Sequence, residues 1–240
     1  MREQYGFDVE IQRKARRYLY FGLTVSLFKG VIIVLLAFVV LNLRLHVALE
    51  SLVRMWVTEK WQIVALYFLV GYAIFWLVTF PFDYLKEYAL EHRFELATEN
   101  FAKWFKDKVK MLMLYVAFML FFVEGVYLSM AHSIAYWWLF TWVISAIFVV
   151  LFSYAFPVLI MPMFYKFPKI SDEKLLKKLT SLSEKAGIRV VGVYEMKAGE
   201  KTKKAIAALT GIANTRRMLL SDTFLANYTS DEIESVMGHE

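Results

Sequence analysis

The chain contains no cysteine. Disulfides, thiolate metal sites and a thiol nucleophile are therefore excluded outright. Histidine is scarce as well. The four present, His46, His92, His132 and His239, lie too far apart for a complete histidine cluster to be read from the sequence. There is no internal repeat and no low-complexity tract. No small-residue cleavage site follows the first apolar run, so that run reads as a retained helix and not a removable leader.

Apolar residues dominate what is there. The chain is 59% hydrophobic with a mean hydropathy of +0.48, too apolar for an ordinary soluble domain. They fall mainly within residues 1–165, which read as a membrane domain. Residues 166–240 have the mixed composition of a small soluble domain. The net charge of +6 sits largely beside the apolar runs. That placement favours topology signals and anionic headgroups over nucleic acid as the reason for it.

Four runs are long enough to span a bilayer: about 18–41, 61–82, 111–131 and 136–161. Between the second and third, residues 83–110 are amphipathic and charged, and read as one or two helices at the membrane surface. A very short turn at His132-Ser133 implies an antiparallel hairpin of the last two spans. Four spans place the amino terminus, 83–110 and everything after Met161 on one side. Those segments carry five (2–17), six (83–110) and five (162–178) basic residues. The opposite loops carry three (42–60) and none (132–135). The excess predicts a cytoplasmic soluble part.

After Pro162 the pattern becomes α/β. Ser171 opens a helix running to Ala186, with Leu175, Leu176, Leu179 and Leu182 on one face and Gly187 as its stop. Ile188 to Met196 alternates as a strand, and Ala205 to Thr210 and Met218 to Ser221 read as two more. Asp222 to Asn227 is a short helical piece.

Few residues stand out as chemistry. Lys29 and Glu124 are ionisable inside predicted spans, so each is expected to face a bundle interior, water or a partner. Snorkelling or an ion pair would also account for Lys29. The run Lys201-Thr202-Lys203-Lys204 could touch anionic lipid or substrate, or be a solvated loop. The last dozen residues, Thr229 to Glu240, read as a capped helix. Thr229 and Glu232 form a capping box, and Ile233, Val236 and Met237 an apolar stripe. At its end stands His239-Glu240. Helical H-E-x-x-H signatures set two histidines one turn apart as zinc ligands, with the glutamate as general base toward water. Here only the first two letters stand, and two solvated residues at a helix end are the other reading.

Three stretches together resemble the type I CAAX prenyl protease family of integral-membrane zinc metalloendopeptidases. One is Tyr84-Leu85-Lys86-Glu87-Tyr88-Ala89-Leu90-Glu91-His92-Arg93-Phe94, continuing to Trp104-Phe105-Lys106-Asp107. The second is Tyr154-Ala155-Phe156-Pro157 through Pro162 to Lys166-Phe167. The third runs from Lys203-Lys204-Ala205 through Thr210-Gly211 and Arg216-Arg217 to Leu220-Ser221-Asp222-Thr223, then to Gly238-His239-Glu240. The likeness covers roughly residues 60–240, in family order and spacing.

The resemblance implies an α-helical multi-pass membrane protein with a small α+β, zincin-like cytoplasmic domain, incomplete in this chain. His239 matches the first zinc-ligand histidine and Glu240 the general-base glutamate, with one Zn2+ per complete protein. Ile206 and Ala207 stand where family members have Asn-Ala, strand residues that help hold the substrate backbone. Glu95 stands where the family tends to have glycine, at a place peripheral to the chemistry. The second histidine is expected three residues past Glu240, with a glutamate ligand and further membrane helices beyond. On this reading the chain is the amino-terminal part of a longer protein, cut inside its catalytic motif and inactive by itself. Helices of the family enclose a chamber, and its substrates include prenylated peptides. The implied partners are a peptide or prenylated peptide and the bilayer. The implied location is the cell membrane if prokaryotic, the endoplasmic reticulum if eukaryotic. A non-catalytic multi-pass protein with a cytoplasmic interaction domain is the alternative.

Overall fold

A computed structural model describes residues 8–240; Arg2, counted above among the basic residues, lies outside them. The chain divides into two compact units. One comprises the residues up to Glu95 with Phe101–Thr141, the other Leu96–Asn100 with Trp142–Glu240.

Helix α1 (Val9–Asn42) starts where the Asp8 carboxylate accepts the Glu10 N–H at 2.7 Å. It is followed by α2 (Leu45–Arg54) and α3 (Lys60–Asp83). A π-helical turn, Tyr84–Ala89, carries α3 on into α4 (Leu90–Arg93). After a break come α5 (Phe101–His132) and α6 (Trp137–Ala155), the latter extended by a second π turn, Phe156–Ile160. Four helical stretches, Val9–Asn42, Lys60–Arg93, Phe101–His132 and Trp137–Met163, are long and apolar enough to cross a membrane. At about 1.5 Å per residue each exceeds the ~30 Å hydrocarbon core. Their large apolar side chains point outward: Leu27 is 71% exposed, Phe121 67% and Leu151 63%. Such continuous apolar bands suit lipid and not water.

Both π turns accompany a proline, Pro81 just before the first and Pro157 within the second. Proline has no N–H to donate, and its ring crowds the carbonyl four residues back. Helix α3 nevertheless runs past Pro81 to Asp83 and on into its π turn, and the second π turn takes in Pro157, so each helix continues instead of ending. Residues 83–93 and 101–110 therefore extend the helices of the second and third apolar runs, with 94–100 as the break. The break opens at Glu95, whose φ of +58° lies in the left-handed region.

Within the first unit, α3, the π turn and α5 meet around buried Trp104. Its ring centroid lies 5.4 Å from that of Tyr88, 5.8 Å from Phe101 and 6.0 Å from Phe80. Lys29 is ion-paired: Nζ lies 2.5 Å from Asp83 Oδ1. Glu124 Oε1 is buried with no hydrogen-bond partner among the described residues.

The second unit holds a three-stranded sheet of β1 (Val193–Met196), β2 (Ala207–Thr210) and β3 (Arg217–Ser221), in the order β1-β3-β2. β1 runs parallel to β3 and β2 antiparallel, with Ala207 opposite Leu220 and Thr210 opposite Arg217. Helices α7 (Glu173–Lys185), α8 (Asp222–Asn227) and α9 (Ser230–His239) complete it. One core joins Leu175, Leu179, Val193, Met218, Leu220, Phe224, Ile233 and Met237. On that sheet face, alternate residues Ala207 and Leu209 pack in from β2.

Two local expectations move. Asp172, not Ser171, caps α7, its Oδ1 accepting the N–H groups of Lys174 (2.9 Å) and Leu175 (3.1 Å). The first strand is shorter than its alternation, because Ile188 N–H donates back to Ser183 O at 2.9 Å and ties that stretch to the end of α7. Gly187 stops α7 as expected, with φ +69°. These two units make the α-helical multi-pass membrane protein with a small α+β domain that the resemblance implies.

Candidate functional site

α9 is set by its start. Thr229 Oγ1 accepts the Glu232 N–H at 3.4 Å, while Glu232 Oε2 accepts the Thr229 N–H at 2.8 Å. This is the capping box read from the sequence. The Thr229 backbone N–H, bonded to the Glu232 carboxylate, holds its pKa below the ordinary value. A second anchor comes from α7. Lys178 donates to Asp231 and lies 2.8 Å from Glu234 Oε2, clamping the first turn of α9. The shared hydrogen bond raises the Lys178 pKa and lowers that of Asp231.

Ile233 and Met237 are buried, 2% and 5% exposed. Val236, expected on the same stripe, is 37% exposed. At about 100° per residue it sits on another face, one turn before His239. That face, Ser235-Val236-His239, is open, and Glu240 is exposed beside it. A histidine presented free at the end of an anchored helix is a fitting donor for one position of a zinc site. Among the described residues no three histidine, aspartate or glutamate side chains gather into a metal-holding group.

β2 is an edge of the sheet, with β3 on one side only. Just before it, Ile206 is engaged at both backbone groups: its N–H donates to Ser221 Oγ at 2.9 Å and its carbonyl accepts the Ser221 N–H at 2.8 Å. Antiparallel pairs alternate, so Ala207 and Leu209 turn their N–H and C=O groups away from β3. The far side of the ladder agrees, since Met218 N–H donates to Gly192 O at 3.1 Å, toward β1. Ile206 and Ala207 thus differ: the first is consumed in the sheet, the second offers its backbone to the open edge. The turn after β2 demands glycine. Gly211 has φ +92°, and a Cβ there would meet Thr215 O at 2.4 Å.

Ser221 and Asp222 are positioning residues that no single-residue signal marks. Ser221 is fully buried; besides Ile206 its Oγ accepts the Phe224 N–H at 3.1 Å and starts α8. Asp222 Oδ1 accepts three N–H groups: Ala198 at 3.0 Å, Gly199 at 2.8 Å and Thr223 at 2.9 Å. It fixes the 197–204 loop leading into β2. The run Leu220-Ser221-Asp222-Thr223 carried part of the family resemblance and was the available signal. The basic loop is also more than solvated. Lys203 N–H donates to Leu96 O at 2.8 Å, Thr98 N–H donates to Lys201 O at 3.0 Å, and Lys201 Nζ lies 4.3 Å from the Tyr165 ring centroid.

Comparison with known proteins accords with this arrangement. Residues 4–166 match the family described as "CAAX prenyl protease N-terminal, five membrane helices", and residues 169–240 match peptidase family M48. The chain is 31% identical over 166 residues to the uncharacterized metalloprotease YhfN of Bacillus subtilis, covering 68% of this chain and 38% of that protein. It is 31% identical over 170 residues to CAAX prenyl protease 1 of Saccharomyces cerevisiae, covering 68% and 36%. It thus spans well under half the length of these relatives. The crystal structure of S. mikatae Ste24p shares the fold, with a TM-score of 0.88 at 22% identity over 99% of this chain and 56% of that one. The chain belongs to the CAAX prenyl protease family, within peptidase family M48.

Proposed function

We propose that this chain carries the substrate edge, a zinc ligand and the general base of a membrane-embedded zinc endopeptidase. The observation that carries the reading is the pairing of an open β2 edge with an exposed His239-Glu240 on α9, both anchored on one core. A peptide lies extended along β2 and bonds to the backbone of Ala207 and Leu209, as in β-strand addition. Ile206 acts indirectly, because its bonds to Ser221 set the register of that edge. His239 is one zinc ligand of a catalytic site that takes three protein ligands and a water. Zinc, when bound, supplies Lewis acidity at the scissile carbonyl and acidifies the attacking water. Glu240 takes that water's proton as general base and passes it toward the leaving amine. Prenylated peptides are the proposed substrates and the cytoplasm the proposed side, from the Lys and Arg asymmetry. Since the chain has no cysteine, single Ser171→Cys and Ser133→Cys variants test the orientation by membrane-impermeant labelling from either side.

The chemical test separates two neighbouring residues in the full-length protein. His239→Ala should lower both zinc content and turnover. Glu240→Gln should keep zinc nearly stoichiometric and still cut turnover by about a hundredfold, the usual scale for a lost proton acceptor. Full zinc in His239→Ala, or full activity in Glu240→Gln, would overturn these assignments.

A further inference from the structure

Between the start of α1 and the end of α4 lies a cleft of about 860 Å³. One part is basic, lined by Arg13, Lys14 and Arg17 from α1 and Arg93 from α4, all exposed. Among the described residues none of these four is ion-paired. The acids on the rim are Asp8 and Glu10, and the Asp8 carboxylate is engaged in capping α1. Glu91, the carboxylate two residues before Arg93, accepts the Tyr18 hydroxyl at 2.5 Å. Among the described residues four cations therefore face two acids, and that excess favours an anion.

The other part is apolar, formed by Tyr20 and Phe21 on the stretch of α1 whose neighbours Leu19, Leu23 and Leu27 face outward. From Arg13 to Tyr20 the helix rises about 10 Å, the span from a phosphate to the first acyl carbons. The walls are held together. Besides the Tyr18–Glu91 bond, the Tyr18 and Phe94 rings meet edge to face at 5.4 Å. Leu90 lies 3.6 Å from where a Cβ on Gly22 would stand. A cleft with guanidinium groups at one level and aromatic rings below suits an amphiphile; a free anion would leave the apolar half unused.

We propose that this cleft binds one anionic phospholipid of the leaflet at the amino-terminal end of α1. Arg17 and Arg93 take its phosphate through paired N–H donors, with Arg13 and Lys14 adding charge, and its acyl chains follow Tyr20 and Phe21. The site is independent of the proposed peptidase chemistry.

Native mass spectrometry of the full-length protein in detergent tests this with dioleoylphosphatidylglycerol and dioleoylphosphatidylcholine as probes. One phosphatidylglycerol should be retained at least about tenfold more tightly than phosphatidylcholine. Arg17→Gln/Arg93→Gln should remove most of that preference, while Lys174→Gln/Lys177→Gln on α7, an equal loss of charge, should change it less than about twofold. Arg17→Lys/Arg93→Lys, which keeps the charge and loses the bidentate geometry, should weaken retention only about threefold, and it reads the site even if the glutamine pair fails to fold. Equal retention of the two lipids, or undiminished phosphatidylglycerol binding in both arginine pairs, would overturn the proposal. Displacement of the lipid by glycerol 3-phosphate at equal concentration would overturn it too, in favour of a free-anion site.

Discussion

Lys29 Nζ, midway along α1, lies 2.5 Å from Asp83 Oδ1 at the end of α3. The pair is part of a chain of alternating charge, since Lys108 on α5 lies 3.6 Å from Asp83 Oδ2 and 2.7 Å from Glu87 Oε2. Three helices are thus linked by four charges that hydrocarbon alone would disfavour. Asp83→Asn leaves Lys29 without its anion. The 3–5 kcal/mol typical of a broken buried pair must be reduced for the partial exposure of these groups, leaving a loss of about 1–2 kcal/mol. Lys29→Gln/Asp83→Asn should recover part of it. Strict additivity of the two single changes, measured by unfolding in detergent, would show that the ion pair couples nothing.

Glu95 gives a second prediction. Its φ of +58° places a side-chain-bearing residue where glycine is comfortable, two residues past the end of α4. The family tendency toward glycine here thus has a backbone reason. Glu95→Gly should stabilise by about 0.5–1 kcal/mol, the relief of left-handed strain less the added freedom of the unfolded chain. Glu95→Ala keeps the Cβ and should gain nothing. If the two variants melt alike, strain at this residue is not the cause.

What the sequence shows and conceals follows from how local each interaction is. The Thr229–Glu232 box is legible because both partners sit within one turn. The spans are legible because a bilayer requires a long apolar run. Asp172 and Ser171 are adjacent capping residues, and pattern alone does not choose between them. Pro81 reads as a helix end, since nothing in the sequence announces that α3 runs past it to Asp83 and on through a π turn. The role of Asp222 is hidden for another reason: two of its three N–H donors, Ala198 and Gly199, lie more than twenty residues away. His239-Glu240 is visible as a dipeptide, but the open edge of Ala207 depends on the sheet order β1-β3-β2, which spacing does not reveal.

The start of α9 should depend on pH in a defined direction. Glu232 and Asp231 have lowered pKa values in the folded chain. Their stabilisation is present above the ordinary carboxylate range and is lost as pH falls through roughly 4 and below. Lys178 is raised, so its contribution holds below the ordinary lysine pKa and is lost as pH climbs beyond about 10.5. Hydrogen exchange of α9 amides should therefore show a plateau of protection between those limits. Thr229→Ala should cost about 1 kcal/mol, or roughly fivefold in first-turn protection. Unchanged protection would mean that the cap does not hold the helix carrying His239.

The last prediction tests the edge itself, by using proline as a probe of which N–H groups are spoken for. The Ala207 N–H points away from β3, by the alternation that Ile206 and Ser221 establish. The Ala208 N–H points toward β3, opposite Leu219. Proline deletes a donor, and a sheet tolerates it only at an edge where that donor faces outward. Ala208→Pro should thus remove a ladder bond and lower the melting temperature of the full-length protein by several degrees, at about 1–3 kcal/mol. Ala207→Pro should cost clearly less stability. If a peptide adds to this edge, Ala207→Pro should nevertheless lower kcat/KM by about tenfold or more, mostly through KM, because one substrate carbonyl loses its partner. Retained kcat/KM in a folded Ala207→Pro variant would place the substrate somewhere other than β2. Equal destabilisation by the two prolines would mean that the register of β2 on β3 is not the one described.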